Sequence, residues 1–117
     1  MDQKDKEKIE RIISSRKEAN EFLLNKKSKV YQSFLELEKN TFKDNFLSKM
    51  YKELIALGIS AIINCESCME WHINEALNSG ASEDQILETL EVAIEMGGGP
   101  AIVSSRFAIK VLNYYKK

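Results

Sequence analysis

Apolar side chains recur every three or four positions through most of the chain, a spacing that predicts amphipathic helices. The first predicted helix ends near residues 25–28, and a shorter second helix ends near Asn40. The apolar positions of the first helix are Ile9, Ile12, Ile13, Ala19 and Leu23. Those of the second are Val30, Phe34, Leu35 and Leu37. Because charged residues fill most of its other positions, the first helix is predicted to be a solvated arm that covers a partner.

A third helix is predicted from about Lys43 to Ile63. From Leu54 to Ile63 it is apolar nearly all round, as expected of a helix inside a core or an oligomer. The apolar stripe of this helix consists of Phe46, Leu47, Met50, Leu54, Leu57 and Ala61. A chain of 117 residues also has a large surface for its volume. Both features argue against a monomer.

Local signals divide the rest of the chain into three more helices. Asn64 is predicted to cap the fourth helix, which should end at Gly80. The segment Ser82-Glu83-Asp84-Gln85 is typical of a capping box that opens the fifth helix. Three glycines at positions 97–99 break the chain again, and Pro100 suits the first position of the sixth helix. The apolar positions of the last two helices are Ile86, Leu87, Leu90, Ala93, Ile94, Ile102, Val103, Phe107, Ala108, Val111 and Leu112.

The chain has only one proline and five glycines, so little interrupts these helices. We predict an all-α fold, a single-domain helical bundle of about six helices that forms an oligomer. Within it we distinguish an N-terminal helical arm, residues 1–40, from a core, residues 41–117.

The composition of the chain narrows the range of partners and cellular compartments that we expect. Seventeen basic against 18 acidic residues leave the chain almost neutral, which favours neither a nucleic-acid partner nor an anionic membrane. Residues 1–8 lack the apolar core of a signal peptide, and no run reaches the roughly 18 apolar residues of a membrane span. We therefore expect a cytoplasmic protein. In that compartment a close cysteine pair indicates catalysis, redox sensing or metal binding rather than a structural disulfide.

The candidate chemistry is concentrated in eight residues, where Cys65, Cys68 and His72 include both cysteines and the one histidine of the chain. At about 100° per residue, the three side chains fall within roughly 60° on one helix face. The positive end of the helix dipole and an imidazole four positions past Cys68 both favour a reactive thiolate. The same face should continue through Met69, Ile73 and Ala76, which makes the pocket apolar. Residues expected to point away from it are Glu66, Glu70 and Asn74.

Glu53 lies on the apolar stripe of the third helix, between Met50 and Leu57. A buried carboxylate there costs several kcal/mol unless it is paired, hydrogen-bonded or protonated. His72 is the expected partner, which suggests a proton relay from Glu53 through His72 to a cysteine. Burial is expected to raise the pKa of the Glu53 carboxyl toward neutrality.

These residues resemble the carboxymuconolactone decarboxylase superfamily, specifically its alkylhydroperoxidase D-like branch, from about residue 42 to residue 112. The motifs that carry the resemblance are Glu53, Cys65-x2-Cys68-x3-His72, Gly80-Ala81-Ser82 and Glu95-Met96-Gly97-Gly98-Gly99-Pro100. The resemblance implies an all-α fold that assembles into trimers or hexamers. It also implies a dithiol site that reduces hydroperoxides or exchanges disulfides. In that site Cys65 and Cys68 form the redox pair, His72 accepts the proton and Glu53 starts the relay.

The chain departs from the pattern at Ser67. Members with peroxidase activity of the alkylhydroperoxidase D kind carry a second histidine at this position, so one proton-transfer group is missing here. The decarboxylases that name the superfamily generally lack the cysteine pair, which makes ring decarboxylation the weaker expectation.

The leading hypothesis is a thiol peroxidase or disulfide reductase that needs no cofactor. Its substrate is a hydroperoxide or a disulfide, and its reductant a protein or a small thiol. The position at the helix N-terminus favours Cys65 as the attacking sulfur, whereas the spacing to the imidazole favours Cys68, which we prefer. Two alternatives remain open: a zinc site of Cys65, Cys68 and His72 completed by Glu53 or water, and a non-enzymatic oligomeric protein.

Overall fold

Six α-helices follow one another through residues 1–116, the part of the chain that the computed structural model describes. They are α1 (Gln3–Asn25), α2 (Lys29–Phe42), α3 (Lys49–Ile62), α4 (Glu66–Asn78), α5 (Glu83–Gly97) and α6 (Gly99–Tyr115). Within those residues there is no β-strand. The prediction of an all-α bundle of six helices is confirmed, and none of these helices is long and apolar enough to cross a membrane.

The core lies around α3, which packs against α4, α5 and α6. Leu57 and Ala61 of α3, with Met69 and Ile73 of α4, are completely buried there. The first helix also contributes to this core, because Ile9 is completely buried. By contrast, no side chain of α2, Lys29–Phe42, is buried. The fourth helix is therefore held on one side by the core and is covered on another by α1.

The third helix starts later than the sequence suggests, at Lys49 and not near Lys43. Two side chains fix this start: Ser48 accepts a hydrogen bond from the amide of Tyr51, and Asp44 accepts one from the amide of Lys49. Because it precedes the helix, Phe46 is fully exposed and does not belong to the apolar stripe. The same holds for its neighbour at position 47, which is about half exposed.

The cap of α4 is also one residue later than predicted. Asn64 has a positive φ of 54° and ends the preceding turn, while its side chain accepts a hydrogen bond from Ser104. Asparagine tolerates this left-handed conformation better than most residues do. Cys65 is the N-cap, and its Sγ accepts a hydrogen bond from the amide of Cys68 at 3.2 Å.

The other predicted boundaries hold to within two residues. The capping box of Ser82 and Gln85 is present, with both of its hydrogen bonds formed. The sixth helix begins at Gly99, so Pro100 occupies its second position, where a missing amide hydrogen is equally harmless.

One face of the bundle is apolar and exposed. Along α3, the side chains of Ile55, Ile59 and Ile62 are about half exposed, and on α5 those of Val92 and Met96 are more so. The groove between the two helices has a volume of about 810 Å³. We call this surface the α3/α5 face. The apolar side chains of residues 54–63 thus lie partly in the core and partly on this face.

Candidate active site

The two cysteines lie at the N-terminus of α4, where the positive end of the helix dipole is located. Cys65 is the N-cap residue and Cys68 lies in the first turn. Their sulfurs are joined in a disulfide, with the Cα atoms 5.2 Å apart. The pair is therefore in the oxidised form, with α4 intact from its first turn.

His72 lies one turn after Cys68 and contacts Glu53 across the helix interface. Its Nδ1 is 2.7 Å from Oε1 of Glu53, whose side chain is only 2% exposed. Phe42, at the end of α2, stacks on the imidazole with ring centres 5.5 Å apart. The structure thus brings together all four residues that the sequence singled out, and it fixes the orientation of the imidazole ring.

A residue that the sequence analysis missed also binds Glu53. Lys49 Nζ lies 3.0 Å from the second carboxylate oxygen, Oε2, and 3.3 Å from Glu75 on α4. Lys49 precedes Glu53 by four positions on the same helix, and this spacing is the signal that could have identified it. Burial lowers the pKa of Lys49, whereas the carboxylates of Glu53 and Glu75 raise it. The pKa of Lys49 is raised overall.

The expected pKa shift of Glu53 is wrong in direction. Burial by itself raises the pKa, but hydrogen bonds from His72 and Lys49, together with their positive charges, lower it below the ordinary value of 4.5. Glu53 is therefore a carboxylate at neutral pH and accepts a hydrogen bond from Nδ1–H of His72. When the imidazole is neutral, this contact leaves Nε2 as the nitrogen that can accept a proton.

A cavity of about 300 Å³ opens beside the disulfide. Cys68 and His72 line it from α4, while Cys65 does not. The rest of its wall comes from α1, α2 and α4 and is half polar and half apolar or aromatic. The residues concerned include Arg16, Tyr31, Phe34, Leu35 and Trp71. Of the two cysteines, Cys68 is thus the one that lines the cavity.

Glu70 does not line this cavity, in agreement with the prediction, but it is not at the surface either. Its side chain is 1% exposed and accepts hydrogen bonds from Nη2 of Arg16 and from the hydroxyl of Tyr115. Burial and the contact with Glu70 raise the pKa of Tyr115 well above its usual value. Helices α1 and α6 cover this side of α4, which the periodicity of α4 alone could not indicate. Glu66, in contrast, is at the surface and pairs with Lys8.

The zinc alternative finds no ready ligand set in residues 1–116. No three histidine, cysteine, aspartate or glutamate side chains there are grouped so that they could hold a metal ion. The two sulfurs are bonded to each other, and one imidazole nitrogen faces Glu53.

The low pKa of Glu53 predicts a pH dependence of stability. A carboxyl whose pKa is lower in the folded state stabilises the fold above its unfolded pKa, and this contribution is lost as the pH falls through the folded pKa. Glu53→Gln should therefore flatten the decline in unfolding free energy below pH 4.5. The slope should change by at most about 1.4 kcal/mol per pH unit, the value for one proton. Urea unfolding between pH 5 and pH 3 measures it.

The matched control for this measurement is Glu91→Gln, on the exposed side of α5. It removes the same charge without touching His72 or Lys49. Equal slopes for the two variants would show that Glu53 is not held as a carboxylate by its neighbours.

Six helices that carry a cysteine pair at a helix N-terminus, beside a buried Glu–His pair, define a class of helical dithiol proteins. The chain belongs to the carboxymuconolactone decarboxylase family, whose sequence profile matches residues 28–110, and within it to the alkylhydroperoxidase D-like branch. All four candidate residues lie inside the matched segment.

Individual relatives agree with this assignment. Uncharacterized protein 4 in the cox locus of Paracoccus denitrificans is 38% identical over 81 residues, which cover 69% of this chain and 73% of the relative. Alkyl hydroperoxide reductase AhpD of Anaeromyxobacter sp. strain K is 34% identical over 70 residues, 52% of this chain and 38% of that protein. The crystal structure of a carboxymuconolactone decarboxylase family protein from Legionella pneumophila superposes with a TM-score of 0.89 at 26% identity, covering 94% of this chain and 98% of the other.

Proposed function

We propose that this protein is an enzyme, a thiol-dependent oxidoreductase that reduces hydroperoxides or disulfides with Cys65 and Cys68. The observation that carries the proposal is the shared cavity: Cys68 and His72 both line it, and Cys65 is bonded to Cys68 from outside it. A substrate in the cavity therefore meets one sulfur and one base. The second sulfur is already within bonding distance of the first.

The first step begins with the dithiol. His72 Nε2 takes the proton of the Cys68 thiol, and the thiolate attacks the terminal oxygen of the hydroperoxide. The S–O bond forms as the O–O bond breaks. The alkoxide then takes the proton back from the imidazolium and leaves as an alcohol. Cys68 is oxidised to a sulfenic acid and the hydroperoxide is reduced.

The second step closes the disulfide. The Cys65 sulfur attacks Sγ of Cys68, the S–O bond breaks, and the hydroxide takes the thiol proton and leaves as water. A dithiol, or two molecules of a monothiol, then returns two electrons and two protons. If the substrate is a disulfide, Cys68 attacks one of its sulfurs and Cys65 resolves the mixed disulfide in the same way.

Glu53 and Lys49 act through His72. The carboxylate accepts the Nδ1 proton, which fixes the tautomer and stabilises the imidazolium that forms during proton transfer. Lys49 keeps that carboxylate ionised. We therefore assign His72 the role of base at the thiol. Glu53 orients the imidazole and stabilises its protonated form.

The test of this proposal is redox stoichiometry. Reduced protein is mixed with one equivalent of tert-butyl hydroperoxide or of oxidised glutathione, small molecules are removed by gel filtration, and the thiols remaining on the protein are counted. We expect two thiols lost per substrate reduced, and repeated turnover when dithiothreitol is in excess. A rate no faster than that of dithiothreitol alone, with both substrates, would contradict the proposal.

We also propose that the α3/α5 face is covered by further copies of the chain, in a cytoplasmic homotrimer or homohexamer. Half-exposed isoleucines along a groove of this size are unusual on a monomer. In this assembly the helices of residues 1–40 wall the cavity, and Ile9 anchors the first of them in the core.

A charge placed on that face should break the assembly. We expect Ile59→Asp to lower the solution mass toward that of one 13.4 kDa chain. Val30→Asp, on the exposed surface of α2, is the matched control and should leave the mass unchanged. Sedimentation velocity of both variants beside the wild type decides this. An unchanged mass for Ile59→Asp would place the interface elsewhere.

A further inference from the structure

Arg16 extends from α1 to the first turn of α4 and is bound there on several sides. Its Nη1 donates to the carbonyl of Ser67 at 3.2 Å and to the hydroxyl of Ser67 at 3.1 Å. Its Nη2 donates to the carboxylate of Glu70, and the guanidinium lies 5.0 Å from the centre of the Trp71 ring. With this many contacts, the guanidinium has one fixed position.

That position is beside the dithiol. Ser67 directly precedes Cys68 in the chain, and Arg16 and Cys68 line the same cavity. The Arg16 side chain is 21% exposed and that of its partner Glu70 is 1% exposed. Charges that are removed from water in this way interact more strongly than charges at an open surface.

We propose that Arg16 is a positioning residue of the dithiol site. Its guanidinium holds a permanent positive charge beside Cys68, and the carboxylate of Glu70 offsets part of that charge. The inference rests on the proposed function and adds to it an element from the N-terminal helix. Arginine stays protonated throughout the physiological range, so it supplies charge and cannot act as the base. That division leaves proton transfer to His72.

The chemical use of this charge is stabilisation of an anion. When Cys68 loses its proton, negative charge develops on Sγ, and a nearby guanidinium favours that form. Glu70 opposes the effect because its carboxylate offsets part of the positive charge. Other ionisable groups that face this region come from four helices. They are Tyr31 and Glu38 of α2, Lys49 and Glu53 of α3, His72 of α4, and Tyr115 of α6.

The two partners of the ion pair give the proposal its test. Arg16→Met removes the positive charge and should raise the pKa of the Cys68 thiol. Glu70→Gln leaves the guanidinium without its counter-charge and should lower that pKa. Both substitutions break the same ion pair, so a purely structural role would shift the thiol in the same direction in both variants.

The measurement is alkylation of Cys68 by iodoacetamide as a function of pH, in Cys65→Ser protein so that a single thiol reacts. Serine is a good N-cap residue, so this background should keep the start of α4. For Arg16→Met we expect the midpoint to rise by about one pH unit and alkylation at neutral pH to slow by up to about tenfold. Glu70→Gln should move the midpoint down. Lys17→Met, at the exposed neighbouring position of α1, is the control and should not move it.

Two further variants test the proposal in case Arg16→Met does not fold. Arg16→Gln is neutral but keeps a polar side chain, and it should show the same upward shift as Arg16→Met. Arg16→Lys keeps the charge and should shift the midpoint least. Shifts of equal sign for Arg16→Gln and Glu70→Gln, or no shift for Arg16→Gln, would overturn the proposal.

Alkylation needs no peroxide or disulfide substrate, so it is independent of the proposed function. If the alkylation midpoint moves up in Arg16→Gln and down in Glu70→Gln, but the protein turns over neither substrate, the proposed enzyme activity is contradicted. The role proposed for the Arg16 charge is then still supported. Full turnover with unchanged alkylation midpoints would support the enzyme activity and contradict the role proposed for Arg16.

Discussion

Cys68→Ser should reduce peroxide consumption to the uncatalysed background, whereas Cys65→Ser should still react once per chain and then stop. The reason is the position of the two sulfurs. Cys68 lines the cavity that His72 also lines, while Cys65 caps the helix outside it. Without Cys68 no sulfur meets the substrate. Without Cys65 the attack proceeds, but nothing within the chain resolves the sulfenic acid.

Rapid mixing of each reduced variant with tert-butyl hydroperoxide distinguishes these outcomes. Consumption by Cys65→Ser should amount to one equivalent, and dimedone should then trap a sulfenic acid at Cys68. The two variants are matched in chemistry, since each replaces one sulfur by oxygen. A one-equivalent reaction in Cys68→Ser and none in Cys65→Ser would exchange the two roles. Full turnover in both would remove the dithiol mechanism altogether.

His72→Gln should lower kcat/KM for the hydroperoxide by about 10²–10⁴, the usual contribution of a general acid–base group. Glutamine is chosen because its amide can still donate to Glu53. A buried carboxylate that lost one of its two donors would destabilise the fold and confuse the result. The variant therefore removes the base and retains a hydrogen bond to the carboxylate.

Glu53→Gln provides the matched comparison for His72→Gln. Since Glu53 acts through the imidazole, its loss should cost less, about tenfold, and should alter the pH profile of kcat/KM more than the value at the optimum. Stopped-flow kinetics from pH 5 to pH 9 measures both variants. Activity of His72→Gln within a factor of three of the wild type would exclude His72 as the base.

Helix periodicity and capping predicted much of the fold because both are local. The capping box from Ser82 to Gln85 involves four consecutive residues, and its hydrogen bonds form whatever packs around them. The start of α3 was harder to predict. Phe46 continues the apolar spacing, but the side chains of Asp44 and Ser48 bind the amides that begin the helix at Lys49.

The pairing of Glu53 with His72 could be predicted because a charge among apolar residues needs a partner, and the chain has a single histidine. The protonation of Glu53 could not be obtained in the same way. Burial and hydrogen bonding shift a carboxyl pKa in opposite directions, and their balance depends on how many donors reach it. His72 and Lys49 are the two donors here, and together they outweigh burial and lower the pKa of Glu53.

The sequence by itself determined the six helices, the place of Cys68 and His72 one turn apart on one helix, and the need of Glu53 for a partner. These features depend on spacings of three or four residues, which a helix converts directly into neighbouring side chains. Only the tertiary structure decided what surrounds Cys68. Arg16 and Tyr115 reach Glu70 from 54 and 45 residues away. Their contacts arise from the packing of α1 and α6 against α4, which no local spacing specifies.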